Sequence, residues 1–159
     1  MPDKPKPILV AVDFSQFSEQ ALLWAARTAR CFEVPLVVLY VVHDPSSAPG
    51  YDKLERSGKK HLRRSEEAAS EMMEDFLDQM SKKHPKLLSN LSHRLVVGLP
   101  ITRILEVAED VGAQLIVMGS HGRTGLPHLL LGSKAERVAQ LSPIPVTIVK
   151  SSAVMSGAD

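Results

Sequence analysis

The sequence predicts an α/β domain built on a parallel sheet with helices on both faces. Three observations carry that expectation. Short aliphatic and β-branched runs alternate with amphipathic stretches in the order β-α-β-α-β-α-β-α-β, and such alternation requires parallel strands joined by right-handed crossovers. The run VPLVVLYVV, Val34 to Val42, is apolar at nearly every position, as a strand buried on both faces must be. The 159 residues, 44% hydrophobic and 23% charged, suit one domain that buries its own core without staples.

Taken in order, Ile8 to Val12 reads as the first strand. Ala21, Leu22, Trp24, Ala25, Ala29 and Phe32 then recur at helical spacing, which predicts a helix from about Ser15 to Cys31. Cys31, the one cysteine, is expected to be a small buried apolar residue of that helix. After the second strand, His43 to Gly58 holds Pro45, Pro49, Gly50 and Gly58 and reads as a loop. A long helix follows from about Lys59 to Lys83, with Leu62, Ala69, Met72, Met73, Phe76, Leu77 and Met80 as its apolar stripe.

Lys53, Arg56, Lys59, Lys60, Arg63 and Arg64 stand there against one acid, Glu55. Cations crowd unfavourably at a helix N-terminus, so ordered helix is expected to strengthen only near Ser65-Glu66-Glu67. The basic stretch reads first as a solvated face; a flap over phosphates or a docking site are its functional alternatives.

Leu91 to Gly98 is the third strand. Pro100 opens the next helix, Ile101, Ile104, Leu105, Ala108 and Val111 face inward, and Gly112 closes it. Leu115 to Met118 is the fourth strand, Ser133 to about Leu141 the last helix, and Pro145 to Lys150 the fifth strand. The stretch SSAVMSGAD reads as a mobile tail. A single domain therefore spans the chain, with an ordered core of about residues 7–150.

Composition excludes several classes. A net charge of +1 and 4% aromatic residues suit neither the neutralisation of nucleic-acid phosphates nor base stacking. No apolar run approaches the roughly 20 residues that span a bilayer. MPDKPKP is followed by no secretory apolar region. A lone cysteine fits a reducing compartment, so the expected location is cytoplasmic. The six histidines show no metal-ligand spacing, and no structural metal is expected.

Ligands of doubly wound sheets bind outside the carboxyl ends of the strands, where the winding reverses. Asp13, Val41 to His43, Gly98 and the stretch MGSHGRTGLPHLLLGSKAERV, Met118 to Val138, all fall at such ends. That stretch spaces its glycines as Gly119-x-x-Gly122, nine residues, then Gly132-Ser133. Glycines admit positive φ and close backbone approach, and a helix N-terminus seats phosphate on bare amides. Arg123 and Lys134 add cationic donors, and His121 and His128 flank the loop. Ser133-Lys-Ala-Glu136 also matches a capping box, in which Ser133 caps its own helix. The P-loop, the G-x-G-x-x-G fingerprint and the G-x-S-x-G elbow are all absent.

With these residues in view, the chain resembles the nucleotide-binding branch of the universal stress protein family. Its motif G-x2-G-x9-G-[S/T] is matched by Gly119, Gly122, Gly132 and Ser133. ILVAVDFS resembles the family's first strand, ILEVAEDVGAQLIVMGSHGRTG its third helix and fourth strand, and SPIPVTIVK its closing strand. The resemblance covers about Ile8 to Lys150. It implies a five-stranded parallel sheet of order 3-2-1-4-5 and binding of ATP, with a Mg²⁺ ion that the triphosphate can carry in and that needs few protein ligands.

By position, Asp13 would hold the ribose hydroxyls and the Val41 backbone the adenine edge, with Ala11 and Val12 lining the adenine pocket. Gly119, Gly122, Gly132 and Ser133 would hold the phosphates, with Met118, His121, Arg123 and Lys134 beside them. Asp13 has a structural alternative, capping the helix that follows it. The resemblance also implies a homodimer through the last strand.

The resulting expectation is a nucleotide-dependent stress-response or signalling regulator with an unidentified protein partner. Slow ATP hydrolysis is the most it would catalyse, since no base is positioned as in efficient phosphoryl transfer. An ATP-independent interaction module on the same fold is the alternative. A phosphoacceptor receiver shares the alternation, but the third strand ends in Val97-Gly98 with no aspartate to accept a phosphoryl group.

Overall fold

The computed structural model describes residues 3–44, 56–123 and 131–151, with the backbone alone for 56–60. Lys53, His128 and residues 152–159 lie outside the described residues, as do the side chains of Arg56, Lys59 and Lys60. The elements are β1 (Ile8–Ala11), α1 (Gln16–Phe32), β2 (Leu36–His43), α2 (Arg56–Lys83), β3 (Leu91–Gly98), α3 (Pro100–Asp110), β4 (Leu115–Gly119), α4 (Ser133–Leu141) and β5 (Val146–Val149). All five strands pair in parallel, in the order β3-β2-β1-β4-β5.

Strand alternation divides the core in two. Ile8, Val10, Leu36, Val38 and Val117 point to one face and pack with α1 and α2. Leu9, Val37, Leu39, Ile116 and Met118 point to the other and pack with α3 and α4. The chain winds outward through β1, β2 and β3, then returns to build β4 and β5 on the far side of β1. A crevice is thereby left between the carboxyl ends of β1 and β4.

Helix boundaries follow local chemistry. Ser15 caps α1, its side chain accepting the Ser18 N–H at 3.3 Å. Pro100 stands in the first turn of α3, where its missing N–H has no intrahelical partner to lose. Gly112, at φ +64°, turns the chain out of α3.

Several expectations are corrected. Cys31 is exposed, and Trp24 and Phe32 are 38% and 64% exposed. The buried stripe of α1 is Ala21, Leu22, Ala25, Ala26 and Ala29; Trp24 and Cys31, seven residues apart, share a face outside it, Cys31 about 200° around the helix from Ala29, and Phe32 is the last residue of the helix. Met72 is likewise exposed at 37%, while Met73, Phe76, Leu77 and Met80 are buried. The long helix begins at Arg56, three residues before the expected Lys59, and the basic stretch expected to be weak before Ser65 is already helical. Lys, Arg and Leu are good helix formers, and an unfavourable contact between a cation and the helix dipole costs only about 0.3–1 kcal/mol. Ser151, assigned to the tail, is 4% exposed.

Candidate functional site: a crevice between β1 and β4

The β1–β2 ladder ends with a bond from the Val12 N–H to the Leu39 carbonyl, at 2.8 Å. The chain then turns through Asp13, Phe14 and Ser15. Phe14 adopts φ +65°, a left-handed conformation that costs roughly 1–2 kcal/mol. Its ring packs 4.4 Å from Tyr40 and 5.5 Å from Phe76, centroid to centroid. Aromatic pairs contribute about 0.5–1.5 kcal/mol each beyond their burial, enough to offset that strain.

The turn sets Asp13. Its Oδ1 accepts the Ser18 hydroxyl at 2.6 Å and the Ser15 N–H at 3.1 Å, while its own N–H donates to Ser18 Oγ at 2.7 Å. Its Oδ2 faces Gly122, 3.2 Å from where a Cβ there would stand. Ser15, not Asp13, is the cap of α1; Asp13 Oδ1 braces the turn before that helix, and Oδ2 lies beside the glycine loop.

On the opposite wall, a Cβ at Gly119 would come within 2.9 Å of the Phe17 carbonyl and Cβ. One at Gly132 would stand 3.1 Å from the Ser120 carbonyl and 3.2 Å from His121 Cα. These glycines are therefore matched to the protein's own close packing. Positive φ is not their role: among the described residues, the glycines with positive φ are Gly98 and Gly112.

The capping box is not formed. Gly132 is the N-cap, its N–H donating to the Ser120 carbonyl at 2.6 Å and its carbonyl accepting from Glu136 N–H at 3.0 Å. Ser133 is displaced to the first helical position. With a glycine at the cap, no side chain closes the first turn of α4, whose amides then carry the partial positive charge of a helix start.

These walls enclose a cavity of about 400 Å³, within the roughly 300–1,000 Å³ of small-molecule sites. All twelve residues singled out in the sequence line it. Ala11, Val12, Val41 and Met118 lie with Leu39, Ile104 and Ala135 on its apolar side. Asp13, Gly119, His121, Gly122, Arg123, Gly132, Ser133 and Lys134 form its polar side, where Arg123, Ser133 and Lys134 are exposed.

Val41 has a backbone reason to be there. Pro35 and Leu39 direct their carbonyls toward β1, so alternation sends the Val41 amide and carbonyl to the same side. But β1 ends at Ala11 and β2 runs on to His43. A strand edge with one donor and one acceptor thus opens on the crevice.

His43, placed by the sequence at a ligand-facing strand end, lines the cavity too. Sequence reasoning missed Ser18, Leu39, Tyr40, Pro100, Ile104 and Ala135, which also line it. It missed Ser120 as well, 2% exposed. The Ser120 N–H donates to the Val149 carbonyl at 2.9 Å, its carbonyl receives the Gly132 N–H, and its hydroxyl lies 2.9 Å from His121 Nδ1. The signal for Ser18 was the triplet spacing Ser15-x-x-Ser18 at a helix start; Ser120 carried none. Among the described residues, no group of three or more His, Cys, Asp or Glu is placed to hold a metal ion. Nor is any helix long and apolar enough to cross a membrane.

The Universal stress protein family matches residues 4–150. The chain belongs to that family. Universal stress protein MJ0577 of Methanocaldococcus jannaschii is 32% identical over 155 residues, covering 91% of this chain and 94% of that protein. The solved structure of MJ0577 aligns with TM-score 0.70 at 30% identity, covering 92% of this chain and 96% of that one. The universal stress protein from Archaeoglobus fulgidus in complex with dAMP aligns with TM-score 0.54 at 25% identity, over 94% of this chain and all of that one (100%). These solved relatives share the α/β fold.

Proposed function

We propose that the crevice binds an adenine nucleotide, specifically ATP, and that the chain is a cytoplasmic, nucleotide-dependent stress-response or signalling regulator. The cavity's division carries this reading: an apolar half beside a bare strand edge, and a polar half where a carboxylate oxygen, two cations and an uncapped helix start meet. The dAMP complex of the Archaeoglobus fulgidus relative supports the nucleotide class.

In this reading the base lies against Leu39, Ile104 and Met118, and the Val41 amide and carbonyl meet its edge. Asp13 Oδ2 accepts from sugar hydroxyls. The amides at Ser133 and Lys134, with the Arg123 and Lys134 side chains, hold the phosphates. A Mg²⁺ ion would share the triphosphate charge, bound by phosphate oxygens and water. Any hydrolysis is slow.

Two copies pair through β5. The Pro145 and Val149 carbonyls bond β4, so the Val146 and Ile148 peptide groups point to the free edge, a template for a second strand.

Titration calorimetry on nucleotide-free protein tests the core of the proposal. The expected result is ATP binding in the micromolar range. No binding heat at any temperature tried, together with no nucleotide in the mass spectrum of freshly purified protein, would leave an interaction module that works without ATP.

A further inference from the structure

We infer that Ser18 is a positioning residue that sets sugar recognition by acting through Asp13; this rests on the adenine-nucleotide reading of the crevice. Ser18 grips Asp13 twice, donating its hydroxyl to Oδ1 at 2.6 Å and accepting the Asp13 N–H at 2.7 Å. The Ser15 N–H adds a second donor to the same Oδ1 at 3.1 Å. Rotation of the carboxylate breaks both bonds to Oδ1, so the group is held with Oδ2 toward Gly122. Ser18 is 4% exposed, and water cannot readily replace its hydroxyl.

An ionised carboxylate only accepts hydrogen bonds. A fixed Oδ2 therefore selects hydrogen-bond donors, and phosphate is repelled from it. The ligand chemistry that fits is the sugar diol, with the polyanion turned toward Arg123 and Lys134. Ser18 thus fixes both which end of the nucleotide lies at β1 and whether its hydroxyls count.

The test compares ATP with 2′,3′-dideoxy-ATP by calorimetry on the full chain, alongside thermal unfolding. The wild type should prefer ATP by at least about tenfold, the size of one hydrogen bond to a charged acceptor. Ser18→Ala should reduce that preference to within about threefold, mainly by weakening ATP. Ser18→Cys, close in size but a much weaker donor, should move it the same way and covers the case in which Ser18→Ala does not fold. In an Asp13→Ala background, Ser18→Ala should leave the preference unchanged, as a residue acting only through Asp13 must.

A wild type that binds no ATP defeats the function proposed above. A wild type that binds both nucleotides equally, or a folded Ser18 variant that keeps the full preference while its melting temperature falls, overturns the positioning role and leaves ATP binding standing.

Discussion

Asp13 divides its two carboxylate oxygens between the fold and the crevice, and that division sets what its removal should do. Asp13→Ala takes an acceptor from the Ser15 N–H and the Ser18 hydroxyl as well as from a ligand. It should lower stability by about 1–3 kcal/mol and weaken ATP about tenfold or more, read by urea unfolding and calorimetry. Lys134→Ala should separate the two effects. Lys134 is exposed at the mouth of the cavity, so ATP affinity should fall severalfold, less at high salt, with the unfolding midpoint unmoved.

The motif glycines need a different reading. Gly132→Val drives its side chain into the Ser120 carbonyl and His121 Cα. It should destabilise the chain by about 1–3 kcal/mol through overpacking and weaken ATP as a consequence; a variant that loses ATP at full stability would contradict this. The motif was legible as a string. Its physical cause was not, because Ser120 and Phe17 approach those glycines only in three dimensions.

At the scale of elements, strands were the most legible part. β3 was read as Leu91–Gly98 and is Leu91–Gly98, because Ser89-Asn90 before it and Gly98 and Pro100 after it punctuate the chain. Helix faces were read less well. Phe32 matches the period of α1 yet is exposed as its last residue, and Trp24 lies partly exposed on the face it shares with Cys31, since large apolar residues are not obliged to be inside. The start of α4 was read correctly at Ser133, but its cap was left open, because Gly132 and Ser133 are both acceptable caps and only the Gly132–Ser120 bond decides between them.

Two substitutions test the elements that position the crevice. Ser15→Ala removes the cap of α1 and should cost about 1 kcal/mol. Met73→Ala, 1% exposed in α2, should cost about 2–5 kcal/mol. Both are read as a lower urea midpoint at unchanged slope.

For the whole molecule, the alternation of elements was enough to place a parallel sheet, and the strand order followed from the family resemblance. The crevice follows from that order alone, since β1 and β4 are neighbours whose following helices leave for opposite faces. Pro100 and Ile104 reach it only because α3 crosses from β3 back to β4, a placement no local window contains. The assembly prediction belongs here. Ile148→Pro deletes an N–H on the free side of β5 and leaves the β4 ladder intact. The folded protein should then sediment as a monomer of 17.4 kDa, and the wild type should sediment at twice that mass.

Ser120 carries a consequence for regulation. Its amide hangs from Val149 at the outer strand and its carbonyl holds the amide that starts α4. Whatever tugs on the rim of the sheet therefore moves the floor of the crevice at the start of α4 through a single peptide link. By thermodynamic reciprocity, a nucleotide that strengthens self-association by some factor must itself be held tighter in the pair by that same factor.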